Sequence, residues 1–137
     1  MMPNVTESRY LMMLMRNIEI GTPIRTSLLS QKVGVKPPSV VEILNRLESH
    51  RFVRRVRWGE TVLTRKGERI AKNLLHNHRV LEIYFVTFLG MSKEVACREA
   101  SRIDLYIGQK TINAMCKTLN HPCKCFHGKE VYHENCI

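Results

Sequence analysis

The last seventeen residues of the chain hold most of its soft metal ligands, in the run His121-Pro122-Cys123-Lys124-Cys125-Phe126-His127-Gly128 and then at His133 and Cys136. Thiolate and imidazole suit zinc, ferrous iron, nickel or an iron-sulfur cluster, whereas magnesium or calcium would call for clustered carboxylates. Two arrangements are open. Cys116, Cys123, Cys125 and Cys136 make up the four thiolates that a [2Fe-2S] or [4Fe-4S] cluster requires. A single ion could instead draw on a mixed set from His121, Cys123, Cys125, His127 and Cys136. Cys116 lies in a helical stretch, where a lone cysteine is ordinarily a small buried hydrophobe.

Five cysteines is an odd number, and the crowding of three of them among histidines favours ligation over a secreted disulfide framework. A reactive thiolate at Cys123 or Cys125, in a thiol enzyme or a metal carrier, is the alternative from another class. No glycine-rich phosphate loop, carboxylate dyad or strand-borne nucleophile motif accompanies it.

The rest of the chain has a different character. Among 137 residues, 22 Lys and Arg face 12 Asp and Glu, a formal net charge of +10, which points to a polyanionic partner such as nucleic acid. No apolar run approaches the ~20 residues that span a bilayer, and no signal peptide is evident, so a cytoplasmic protein with no membrane partner is expected.

Helical periodicity starts at Thr6 and runs through Tyr10, Leu11, Leu14, Met15 and Ile18 to a stop at Gly21-Thr22-Pro23. A short helix fits Thr26 to Val33, closed by Gly34. Pro37 and Pro38 open a third, whose inner stripe is Val40, Ile43, Leu44 and Leu47. Alternation from Phe52 to Leu63 about Gly59-Glu60 predicts a hairpin. Helix, helix, turn, helix, hairpin is the order of a winged helix-turn-helix.

In that layout Pro38, Ser39 and Glu42 reach base edges from the first turns of the groove-reading helix. Arg25, Lys32, Lys36 and Arg46 meet phosphates, and Arg55 and Arg57 lie on a cationic wing. His50 and His76 read as solvated. Beyond Gly67 the pattern predicts a long helix ending at Gly90. A second, capped by Ser92, would run through Val95, Ala100, Ile103, Ile107, Ile112 and Met115 to Asn120. Both are so apolar, notably at Val80, Phe85 and Ile103, that they predict a dimer interface. The expected fold is mainly α: a winged helix-turn-helix DNA-binding domain over residues 1–72, then a helical dimerisation and metal-binding domain over 73–137.

Three segments then fall into register: Lys36-Pro37-Pro38-Ser39-Val40-Val41-Glu42-Ile43-Leu44-Asn45-Arg46-Leu47-Glu48, Leu63-Thr64-Arg65-Lys66-Gly67 and His78-Arg79-Val80-Leu81-Glu82. Together with Cys125-Phe126-His127-Gly128, similar to a Cys-Pro-His-Gly in many members, they resemble the diphtheria toxin repressor and manganese regulator (DtxR/MntR) family. The resemblance implies a homodimeric, metal-dependent repressor of metal-uptake or homeostasis genes that binds double-stranded operator DNA. It also implies a transition-metal cofactor (iron, manganese or zinc) held at two adjacent sites.

By position, His78 and Glu82 match a family ligand pair. Cys97 and Asp104 fall at further ligand positions with side chains able to coordinate, while Ser101 and Leu105 fall at two others. Arg9 replaces a ligand on the first helix, and arginine cannot coordinate. One of the two family sites is therefore expected to be dismantled, with the tail in its place. An iron-sulfur cluster sensor built from the tail cysteines is the alternative.

Overall fold

The computed structural model describes residues 2–22, 24–56 and 59–137, so Arg57 and Trp58 of the expected wing lie outside the described residues. The chain divides into two compact units, Met1–Ala71 and Lys72–Ile137.

In the first unit, α1 (Val5–Glu19) starts at Asn4. Its side chain accepts from Glu7 N, while Glu7 reaches back to the Asn4 backbone N–H, a reciprocal cap that meets two otherwise unsatisfied donors. Helix α2 (Thr26–Val33) ends at Gly34, whose φ of 72° is the left-handed turn glycine adopts without strain. Helix α3 (Pro37–Ser49) has prolines in its first turn, where no intrahelical N–H is needed. Strands β1 (Val53–Arg55) and β2 (Thr61–Leu63) pair antiparallel, Val53 opposite Leu63. The core comprises Tyr10, Leu11, Met12, Leu14, Met15, Leu29, Val40, Leu44, Leu47 and Phe52, all buried.

The long helix α4 (Arg65–Leu89) begins beside this hairpin. Thr64 Oγ1 accepts from Gly67 N at 3.1 Å and donates to the Arg51 carbonyl at 2.6 Å. Gly67 is pressed so closely on Phe52 that a Cβ would stand 1.9 Å from its carbonyl oxygen. The boundary between the units falls within α4.

The second unit holds the rest of α4 with α5 (Lys93–Ile103), α6 (Gln109–Thr118) and the tail. The single helix expected after Ser92 is two helices. Asp104 caps the end of α5, and Gly108, in extended conformation, starts α6. Gln109, at the start of α6, bonds Asn73, Asn77 and Asn113 and so ties α6 to α4.

Val80, Leu81, Ile83, Ala100, Ile112, Cys116, Cys125 and Val131 form the core. Val80, expected at a dimer interface, is thus wholly inside the unit, with Phe85 packed against the same cluster. The exposed apolar residues here are Phe88, Leu89, Val95, Ile103 and Tyr106, with Phe126 and Ile137 in the tail. No helix among the described residues is long and apolar enough to cross a membrane.

Candidate metal centre

Two residues along an α-helix are separated by about 200° of rotation, so His76 and His78 leave α4 on different faces. They feed two different clusters.

On the first face, His78 and Glu82 are one turn apart and meet at 2.5 Å through His78 Nε2 and Glu82 Oε1. Cys97, from α5, brings its sulfur within 3.5 Å of the same nitrogen. One ligand atom from each lies within 4.8 Å of the others. Behind the ring, His78 Nδ1 meets Asp104 Oδ2 at 2.9 Å. Asp104 therefore stands behind the histidine and outside the converging set. A carboxylate in that position fixes the tautomer and orientation of an imidazole ligand and raises its basicity. Asp104, expected as a ligand, thus meets the histidine and is not among the three converging residues. Its place at the end of α5 brings its carboxylate to His78 Nδ1.

His78 is almost wholly buried. Burial alone would lower its pKa, but hydrogen bonds with Asp104, Cys97 and Glu82, together with the Glu82 charge, raise it to about 10. Glu82 resists the upward push of burial, and its hydrogen bond and charge interaction with His78, then the neighbouring His127, hold it below the usual carboxylate range. The aligned Ser101 instead donates its hydroxyl to the Cys97 carbonyl, and Leu105 is half-buried. Arg9 lies on α1 in the first unit.

Glu82 has a second neighbour. Its Oε2 lies 3.2 Å from His127 Nδ1, and Cys125 completes a group of Glu82, Cys125 and His127. A turn closed by Gly128 N to the Cys125 carbonyl and Cys125 N to the Lys129 carbonyl holds the two tail residues.

On the other face, His76 joins Cys116 of α6 and His133 and Cys136 of the tail, one ligand atom from each again within 4.8 Å of the others. His76 is 1% exposed, so its reading as solvated is corrected. Desolvation lowers its pKa, as do the charges of His133 and His121, outweighing its backbone hydrogen bonds. Burial and the neighbouring Cys136 push the Cys116 thiol up to about 12. His121 flanks this group, its Nδ1 3.3 Å from Cys116 Sγ and 3.6 Å from Cys136 Sγ.

The four-thiolate set is not assembled. Cys116 and Cys136 fall in one group and Cys125 in another, while Cys123 is exposed and in neither. Cys116 and Cys125 both sit in the core of this unit, yet each gathers different partners: His76, His133 and Cys136 around the one, Glu82 and His127 around the other. His76 was read as solvated, and His133, though counted among the soft ligands of the tail, stood in neither of the two expected arrangements. His133 had a signal in its three-residue spacing from Cys136, but nothing local distinguished His76.

In the first unit, Lys32, Lys36, Pro38, Ser39, Glu42 and Arg46 are all exposed, as is Arg25, which pairs with Glu60 in an isolated β-bridge. Arg55 is half-buried, its guanidinium donating to Thr26 Oγ1 at 3.3 Å while its backbone N–H donates to Glu48. It ties β1 to α2 and α3, and the exposed cation on this strand is Arg54. His50, read as solvated, is half-buried with its Nδ1 3.3 Å from Glu7 Oε2.

Residues 64–133 match the family model for the iron dependent repressor, metal binding and dimerisation domain. The transcriptional regulator MntR of Salmonella typhimurium is 32% identical over 97 residues, covering 71% of this chain and 60% of its own. The chain thus spans about 60% of the length of the first curated relatives it matches. Among solved structures, the hypothetical protein SSo2273 from Sulfolobus solfataricus superposes with a TM-score of 0.74 at 27% identity, covering 95% of this chain and 99% of that one. ScaR with bound zinc gives 0.80 at 26% identity, over 94% of this chain and 59% of its own.

Proposed function

The chain belongs to the iron-dependent repressor (DtxR/MntR) family, and from that premise we propose that it is a homodimeric, metal-responsive transcriptional regulator that binds operator DNA and represses metal-uptake or homeostasis genes. That family is one of DNA-binding transcriptional regulators, which are not enzymes. One observation carries the reading: His78, Glu82 and Cys97 converge, with Asp104 orienting the histidine, inside the segment matched to a metal-binding and dimerisation domain. Imidazole, carboxylate and thiolate together fit a transition-metal ion, and the thiolate weights the choice toward ferrous iron or zinc over manganese.

Residues 1–72 form the DNA-binding domain and residues 73–137 the metal-binding and dimerisation domain of a cytoplasmic protein. Phe88, Leu89, Val95, Ile103 and Tyr106 supply apolar surface for the second copy. Metal at His78 acts on DNA affinity as a coupling between two sites. The test is anisotropy of labelled DNA, selected by the protein from a random pool, with and without ferrous or manganous ion. Affinity should change by about 5- to 150-fold, the usual range of such coupling. An unchanged affinity contradicts the proposal.

On the DNA side, Pro38, Ser39 and Glu42 read bases, while Arg25, Lys32, Lys36, Arg46 and Arg54 meet phosphates. Arg54→Ala should weaken binding to all sequences alike and reduce the log–log salt slope by ~0.9 for each phosphate left without its cation. Glu42→Ala should instead alter sequence preference. Equal losses on selected and random DNA for both variants would refute this division of roles.

Metal uptake should also depend on pH. His78 must shed its proton to coordinate, and its raised pKa keeps that proton bound up to about pH 10. Apparent affinity should therefore rise with pH, by up to ~10-fold per unit, until it levels off near the raised value. Calorimetric titration in buffers of different ionisation heat reads both the slope and the released proton. A pH-independent affinity with no proton release excludes His78 as a ligand.

A further inference from the structure

We propose that His76, Cys116, His133 and Cys136 form a separate Cys2His2 zinc site that fastens the C-terminal tail to α4 and α6 and is structural rather than regulatory. The four residues come from three places in the second unit: His76 from α4, Cys116 from α6, and His133 with Cys136 from the tail. Their sulfurs stand 3.8 Å apart, and His133 Nδ1 lies 3.1 Å from Cys136 Sγ and 3.6 Å from Cys116 Sγ. Two thiolates and two imidazoles are a ligand set of closed, four-coordinate structural zinc sites.

Both histidines are held in the form a metal requires. His76 Nδ1 donates to the Val131 carbonyl at 3.2 Å, and His133 Nε2 donates to the Pro122 carbonyl at 2.6 Å. A backbone carbonyl on the outer nitrogen fixes the tautomer and leaves the other lone pair for coordination. For His76 that remaining nitrogen, Nε2, is buried and has no hydrogen-bond partner among the described residues. A buried polar atom left without a partner is costly, and a metal ion supplies one. His121 approaches both sulfurs but has no carbonyl behind its ring among the hydrogen bonds of the described residues, so it flanks the site.

The clamp has a consequence for the neighbouring cluster. The tail it fastens also carries Cys125 and His127, which meet Glu82. Zinc at this site therefore holds the Cys125–Gly128 turn against the acid that also faces His78. The site itself stands on its own geometry, whatever metal His78 takes.

The test uses the full chain carrying Glu82→Gln, which removes the acid shared by the two other groups, His78 with Cys97 and Cys125 with His127, purified without oxygen. One zinc per chain should survive dialysis. Cobalt in its place should give tetrahedral d–d bands and a thiolate-to-cobalt charge-transfer band. Cys136→Ser and His133→Ala alter half-buried tail positions and leave the helical core intact. Each should lower zinc affinity by more than the roughly 10- to 100-fold that follows removal of a hydrogen-bond partner behind a ligand. Cys136→Ser should also diminish the charge-transfer band, whereas Cys123→Ser and His121→Ala should keep both band and affinity. Absence of zinc, a Cys116–Cys136 disulfide in the anaerobic protein, or loss of the band in Cys123→Ser would overturn the proposal.

Discussion

His78→Ala is expected to abolish the effect of metal on DNA binding while leaving the basal affinity for DNA intact. The histidine is the hub of its cluster: one nitrogen faces Glu82 and Cys97, and the other is held by Asp104. Alanine removes the ligand and leaves Asp104 with nothing to orient, so metal affinity should fall by well over the ~100-fold upper figure for removing a group behind a ligand. Asp104→Asn offers the graded control. It keeps size and hydrogen bonding but removes the charge, and a loss of roughly 10- to 100-fold is expected. A His78→Ala protein whose DNA binding still answers to ferrous or manganous ion would place the sensor elsewhere, with Cys125 and His127 next in line.

Gly67→Ala should have the largest effect on folding. Its Cβ would stand 1.9 Å from the Phe52 carbonyl oxygen, and that neighbour is backbone at the edge of the hairpin, unable to swing aside as a side chain could. Separating α4 from the hairpin would also break the Thr64 bonds to Arg51 and Gly67. A cost of roughly 3 kcal/mol, the upper end of the usual overpacking penalty, is expected. Thermal unfolding followed by circular dichroism checks it. A melting temperature equal to that of the parent would show that the contact relaxes freely.

Much of the first unit was legible in the sequence because its punctuation is strong. Gly34, Pro37 and Pro38 bound their helices by dihedral constraint alone, and the alternation after Phe52 marks the hairpin. The second unit conceals its main break. Val95, Ala100, Ile103, Ile107 and Ile112 keep a helical rhythm straight through residues 104–108, and Gly108 is the one weak mark of the turn. Periodicity registers which residues are apolar, and here both short helices contribute to one core.

Candidate ligands were legible by type and, for His78 and Glu82, by spacing on one helical face. Their grouping was not. Whether Cys125 sits with Cys116 or with Glu82 depends on the path of the tail, fixed by long-range contacts such as the Arg79 guanidinium donating to the Glu130 carbonyl at 2.7 Å. His76 looked like a surface residue because its partners are far away along the chain, on α6 and in the tail. Arg55 looked free for DNA because its hold on Thr26 reaches back 29 residues along the chain.

In the proposed regulator one free energy couples metal at His78 to DNA at the winged helix, and coupling of this kind is reciprocal. Metal affinity should therefore be measured on the zinc-loaded full chain, with and without saturating amounts of the selected DNA. DNA should change metal affinity by the same factor by which metal changes DNA affinity, about 5- to 150-fold. Equal metal affinity in the two conditions would contradict the claim, leaving a DNA-binding protein whose metals are purely structural.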